Sequence, residues 1–259
     1  MKESMLSFLS TLLIIYLGVC LLLFVLQRKF MYFPTPPLLH FTPPPEATLK
    51  SFDNDGISLA GWVVNAGRPR ALLYYGGNAE NIEYNIPFFK EHLPEYTVYL
   101  IAYRGYGESS GAPTEEGLYS DALHIFDRVK PEHQKISLLG RSLGSGVATY
   151  VASHRQVDKL VLVTPYDSTA NVAKSVYWMF PVSWLIKDKY DSAKRAMDIA
   201  ATTTIIYAEN DNVIPRASTE GLIQAFSHRL EDSILIRGAD HNDISEYNEY
   251  VAALKRALD

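Results

Sequence analysis

The chain has 259 residues, close to half of them apolar, and a net charge of −5. That length suits one α/β domain with a small appendage. The mild, dispersed charge offers no basic patch for nucleic acid, and a single cysteine, Cys20, rules out an intramolecular disulfide.

Residues 5–26 are almost wholly apolar and carry no charge. A helix needs about 20 such residues to cross a bilayer. Gln27, Arg28 and Lys29 end the run in a polar step, with Phe30, Tyr32 and Phe33 as interfacial aromatics. A cleaved signal peptide has a shorter apolar core and a small-residue cleavage site, and Val19 before Cys20 does not fit a lipoprotein signal. The sequence predicts an uncleaved anchor over 1–29. Lys2 and the α-amino group at one end balance Arg28 and Lys29 at the other, so charge sets no orientation. The small size and lack of extra domains point to a bacterial inner-membrane protein.

Residues 34–45 are dense in proline, which favours extended polyproline II; a stiff spacer is expected over 30–47. The remaining domain, 48–259, opens with extended runs at 48–52 and 57–65 around Asn54-Asp55-Gly56, a hairpin signal. Apolar strands then follow at 71–75, 97–103, 136–139, 160–164, 203–208 and 233–236. Helices are expected at 81–92, 114–129, 143–154, 217–226 and 246–258. Strands alternating with helices imply a doubly wound, mostly parallel α/β sheet with helices on both faces. Its site belongs at the carboxyl ends of the strands. The rhythm breaks over 168–202. Residues 172–189 include Tyr177, Trp178, Phe180 and Trp184. They form either a helical lid giving a pocket an apolar wall, with Trp178 a pocket candidate, or a helix pair on the sheet with aromatics as core.

Gly140-Arg141-Ser142-Leu143-Gly144 matches G-x-S-x-G between a strand and a helix. A turn that sharp needs neighbours without side chains, which Gly140 and Gly144 supply. It lifts the Ser142 hydroxyl above the strand ends, facing the N-terminus of the new helix, where free N–H groups favour negative charge. A serine hydroxyl needs a base, and the base an orienting group. His154 lies at the far end of the helix that Ser142 begins, and His228 follows another helix. His241 occupies a polar loop after the last strand, so it is the candidate base. Asp211 is favoured as the acid over Glu209 and over Asp167. Asp240 and Asp243 serve the local turn. Oxyanion donors would be the backbone N–H groups of Leu143 and, in the loop Gly76-Gly77-Asn78, of Asn78. Gly77, Tyr103, Arg104 and Tyr106 are further pocket candidates. The glycine spacing of 103–111 is not that of a phosphate loop, no Cys/His cluster has metal-ligand spacing, and no cofactor is implied.

Taken together, the anchor ending in Gln-Arg-Lys-Phe30, Tyr32-Phe-Pro34, Gly77-Asn78-Ala79, Tyr103-Arg-Gly-Tyr-Gly107, Pro113-Thr-Glu-Glu-Gly-Leu-Tyr119, Gly140-x-Ser-x-Gly144, Asp211-x-x-Ile-Pro215 and His241-Asn-Asp243 carry a resemblance. The chain resembles a membrane-anchored α/β-hydrolase of the bud-emergence-like branch, in the serine aminopeptidase-like and esterase-lipase group. The resemblance implies an α/β-hydrolase fold, a Ser142–His241–Asp211 triad and hydrolysis of a carboxylic ester or thioester in a lipid or acyl substrate. Many relatives have His-Gly-Asn where this chain has Gly76-Gly77-Asn78, which alters the pocket rather than the triad. A peptidase would need a site for an α-amino group, and no stretch resembles one. A non-catalytic binding protein of the same fold would be expected to lack a triad member.

Overall fold

The computed structural model describes residues 2–259; Met1, where the expected 1–29 anchor begins, lies outside the described residues. A long helix α1 (Lys2–Met31) leads into an irregular proline-rich segment and then strands β1 (Ala47–Asn54) and β2 (Ile57–Val64). These form a hairpin because Asp55 and Gly56 take positive φ, 52° and 81°, the geometry a two-residue turn needs to match strand twist. Next come β3 (Arg70–Tyr75), α2 (Ile86–His92), β4 (Tyr96–Ile101), α3 (Glu115–Val129), β5 (Lys135–Arg141), α4 (Leu143–His154) and β6 (Lys159–Val163). Three short helices follow, α5 (Thr169–Val176), α6 (Val182–Leu185) and α7 (Ser192–Arg195). The fold closes with β7 (Thr202–Ala208), α8 (Arg216–Ala225), β8 (Leu230–Ile236) and α9 (Asn248–Leu258).

The eight strands form one sheet in the order β1-β2-β4-β3-β5-β6-β7-β8. The neighbours from β4 to β8 are parallel, and β2 runs antiparallel to both of its neighbours. The doubly wound, mostly parallel arrangement read from the strand–helix rhythm is therefore present. Strands β3 and β4 are apolar and buried almost throughout, as burial on both faces demands. One core joins Leu118, Ile125 and Phe126 of α3, Val147 and Val151 of α4 and Leu222 of α8. The other joins Ile86 and Phe89 of α2 with Leu254 and Leu258 of α9. Fully burying each large aliphatic side chain stabilises by roughly 1.5–3 kcal/mol. Because β3 lies between β4 and β5, the chain leaves it in one direction and returns on its other side. That topology opens a crevice at the carboxyl ends of β3 and β5.

Two expected helices are shorter than the sequence implied. The 81–92 segment is a 3₁₀ turn (Ile82–Asn85) followed by α2, because Pro87 has no N–H to continue a helix through it. The last helix begins at Asn248, since Tyr247 is extended and separates it from a 3₁₀ turn at Ile244–Glu246. Helix α3 starts where expected: the Thr114 hydroxyl caps the Gly117 N–H at 3.0 Å. Tyr32 is not an interfacial aromatic. It is buried, with its hydroxyl on Asp188 and Tyr190. Nor do the aromatics of 172–189 form sheet core. Trp178 and Trp184 are 75% and 90% exposed, and Phe180 stacks on Tyr16 of α1.

Candidate active site

The end of β5 is held in place before its side chains matter. Gly140 pairs in register with Tyr75 of β3 and Leu162 of β6, and the Ser142 N–H donates to the Val163 carbonyl at 2.9 Å. The chain must then turn into α4 within one residue. Ser142 takes φ 49°, ψ −116°, a conformation costing a non-glycine residue about 1–3 kcal/mol. The glycines make room for it. A Cβ on Gly140 would lie 2.4 Å from the Gly144 carbonyl oxygen, and one on Gly144 would lie 1.9 Å from that of Tyr75.

His241, in the loop after β8, is 5% exposed. Its Nε2 lies 3.0 Å from Ser142 Oγ and its Nδ1 2.9 Å from Asp211 Oδ2. Asp211 in turn accepts the backbone N–H groups of Val213 at 2.9 Å and Ile214 at 2.7 Å through Oδ1. Burial alone pushes this carboxyl up. The His241 hydrogen bond, the two amides and the His241 charge together outweigh burial and hold it below the ordinary aspartate value. An ionised Asp211 favours an imidazole proton on Nδ1, the arrangement in which Nε2 can act as an acceptor toward Ser142 Oγ.

The oxyanion candidates sit on either side. Leu143 is the first residue of α4, and neither its amide nor that of Asn78 donates a hydrogen bond among the described residues. Gly77 faces Ser142: a Cβ there would lie 3.8 Å from the Ser142 Cβ. The loop is fixed from several directions. Glu80 Oε2 accepts the Gly77 N–H at 2.6 Å, while Oε1 accepts Tyr74 Oη and Asn85 Nδ2, each at 2.6 Å. The Arg141 guanidinium donates to Glu80 Oε2 and to the carbonyls of His241 and Asn242, each at 3.2 Å. One half-buried ion pair therefore ties the serine turn to the loop after β3 and to the histidine loop.

The remaining candidates divide. Tyr103 donates to the Gly76 carbonyl at 2.7 Å and Tyr106 to Asn78 Oδ1 at 2.7 Å, so both shape the loop after β3. Arg104 turns away and grips Asp121 with two 2.7 Å hydrogen bonds. Trp178 points to the surface. His154 stacks on Tyr150, His228 is exposed and Glu209 accepts the Gly238 N–H. Asp167 serves Ser218, Asn171 and the Ser168 N–H, away from His241. Among the described residues, no cluster of three or more His, Cys, Asp or Glu side chains could hold a metal ion.

Sequence reasoning missed Glu80 and the contacts that clamp α1 to the domain. The Asn78 side chain donates to the Met31 carbonyl at 2.7 Å and accepts the Phe33 N–H at 3.1 Å. Arg28 of α1 makes a bidentate pair with buried Asp188, at 2.8 and 3.0 Å. Glu80 lies four residues from Gly76 in a polar loop, where an acid has no periodicity to mark it. Asp188 lies 160 residues from its partner.

A family described as "alpha/beta hydrolase fold" matches residues 70–196. An uncharacterized protein of Mycobacterium tuberculosis is 29% identical over 237 residues, 87% of this chain and 84% of its own. The lysophosphatidylserine lipase ABHD12 of Xenopus tropicalis is 30% identical over 205 residues, 70% of this chain. That match spans 53%, about half, of the lipase. Among solved structures, an esterase of Pyrococcus furiosus superposes with a TM-score of 0.67 at 18% identity, covering 88% of this chain and 96% of its own.

Proposed function

We propose, from the α/β-hydrolase fold that this chain has, that it is a membrane-anchored serine hydrolase cleaving a carboxylic ester or thioester in a lipid or acyl substrate. The observation carrying this is one histidine, His241, bridging Ser142 at 3.0 Å and Asp211 at 2.9 Å. The lipase and esterase among its relatives and structural neighbours support the same class. The motif string from Gln27 to Asp243 supports the narrower bud-emergence-like branch.

Ser142 Oγ attacks the acyl carbon as His241 Nε2 takes its proton. The carbonyl oxygen becomes an oxyanion, and the Leu143 and Asn78 amides stabilise it. His241 then gives the proton to the leaving alkoxide or thiolate, whose bond to the acyl carbon breaks. The acyl-serine left behind is attacked by water, which His241 deprotonates on one side and whose proton returns to Ser142 as the acid leaves. Asp211 holds the imidazole throughout and stabilises its positive charge. Helix α1 is long and apolar enough to cross a bilayer, and we take it as the anchor.

Labelling the full chain in detergent with a fluorophosphonate tests this. Wild type should label and Ser142→Ala should not, with the far-UV circular dichroism of the two alike. Equal labelling of both proteins would reject Ser142 as the nucleophile.

A further inference from the structure

Helix α1 does not stand apart from the domain. Its second half runs along the 168–202 insertion. Tyr16 Oη donates to the Met179 carbonyl at 3.1 Å, and Gln27 exchanges hydrogen bonds with the Leu185 carbonyl and the Lys187 N–H at 3.0 and 2.7 Å. Lys187 also lies over the Phe24 ring at 4.2 Å. The Arg28–Asp188 pair seals the base of this contact. Between helix and insertion lies a cavity of about 360 Å³ whose walls are almost wholly apolar. Leu23, Phe30 and Met31 of α1 form one wall; Val172, Val176 and Leu185 of the insertion form the other.

The depth of this cavity follows from helix geometry. Gln27, Arg28 and Lys29 end the apolar run, with Lys187 and Lys189 exposed beside them. These charges mark a membrane surface. Tyr16 is twelve residues earlier, about 18 Å along the axis at 1.5 Å per residue. The hydrocarbon core is about 30 Å thick, so Met179 and Phe180 lie near its middle. Tyr177, Trp178, Met179 and Trp184 are all exposed. In water such a patch would be a liability; beside a spanning helix it contacts acyl chains. The inner end of the cavity reaches Met31, whose carbonyl holds the Asn78 side chain. The cavity thus ends at Met31, whose backbone contacts the loop that carries Asn78.

We propose that this cavity is the acyl site, and that it takes one acyl chain of a bilayer lipid sideways from the membrane, with the chain's own anchor as a wall. Its volume is at the lower end of ligand pockets, about 300–1,000 Å³, which fits one acyl chain. The substrate class is an acyl lipid that places one chain in this cavity and its ester at the membrane surface, beside Ser142. The proposal rests on the hydrolase reading for the fate of the ester but not for binding of the chain.

The two can be tested apart. The full-length Ser142→Ala protein is reconstituted in phosphatidylcholine vesicles with a monoacylglycerol bearing a diazirine near its chain end. After irradiation, adducts should concentrate on the cavity-facing residues of α1 and the insertion. Ala173→Trp, which fills the cavity, should lower them at least fivefold; Val176→Trp does the same if Ala173→Trp fails to fold. In the Ser142 background, either variant should lower the ratio of long-chain to butyrate ester turnover at least tenfold. Adducts spread evenly over the outer faces of α1, and unchanged by both variants, would overturn the acyl site. If cavity adducts form but wild type takes no fluorophosphonate label, the hydrolase reading fails and the acyl site stands.

Discussion

Gly144→Ala adds one methyl group at the tightest point of the candidate site. Its Cβ would lie 1.9 Å from the Tyr75 carbonyl oxygen, 2.5 Å from its carbon and 2.7 Å from the Gly76 oxygen. All three are backbone atoms, so no side chain can swing aside. Ordinary contact begins at 3.4 Å, so β3 and the serine turn must separate by about 1.5 Å. Tyr75 is locked in register to Ile101 and Gly140, and the shift passes to Gly76-Gly77-Asn78. A misplacement of about 1 Å costs on the order of 100-fold in rate, and losing one oxyanion donor costs about 10²–10³. Turnover of a butyrate ester should therefore fall at least about 100-fold, mainly in kcat. Overpacking should cost about 1–3 kcal/mol of stability. Gly221→Ala is the control: its Cβ meets nothing closer than 3.6 Å, inside α8. It should stabilise by roughly 0.5–1 kcal/mol and leave turnover alone. A Gly144→Ala protein with wild-type kcat and Tm would refute the claim that this backbone contact sets the oxyanion geometry.

Asp211→Asn should lower kcat by about 10⁴-fold, because the amide no longer fixes the His241 tautomer; a loss below tenfold in steady-state kinetics would remove Asp211 from its role. Asp211 also gives stability a pH dependence. Its folded-state pKa is held below the ordinary value of about 3.9. Its contribution is therefore fully present above that value and lost as pH falls through the lowered folded value. Urea titrations of wild type and Asp211→Asn should show the wild-type advantage shrinking only below about pH 4; a gap that closes between pH 7 and 5 would contradict this. Asp121→Ala leaves the half-buried Arg104 without its bidentate partner, at a cost of up to about 3 kcal/mol, at the low end for a broken buried pair. That is a drop in Tm of up to roughly 10 °C, at about 2–4 °C per kcal/mol. Asp127→Ala breaks an exposed pair with Arg155 and should cost under about 1 kcal/mol. Equal Tm shifts in these two variants would deny that burial of the Arg104–Asp121 pair matters.

Much of the fold was legible because its signals are local. Short apolar runs such as 71–75 alternate with helical stretches and read as buried strands, Asp55-Gly56 marks a hairpin turn, and Gly140 and Gly144 bracket a serine on a sharp turn. His241 and Asp211 were candidates because of their places in loops after strands, and a parallel sheet brings those loops to one edge beside Ser142. What the sequence could not reveal depends on contacts between distant residues. Glu80 became the hub of a network only when β3, β5 and the histidine loop were brought together around Arg141. Tyr32 looked interfacial by composition, and the tertiary fold buried it because Asp188 and Tyr190 lie about 160 residues downstream. The aromatics of 172–189 carried two readings in the sequence. The tertiary structure keeps Trp178 and Trp184 out of the sheet core and stacks Phe180 on α1, because a side chain's surroundings, not its type, determine what it packs against.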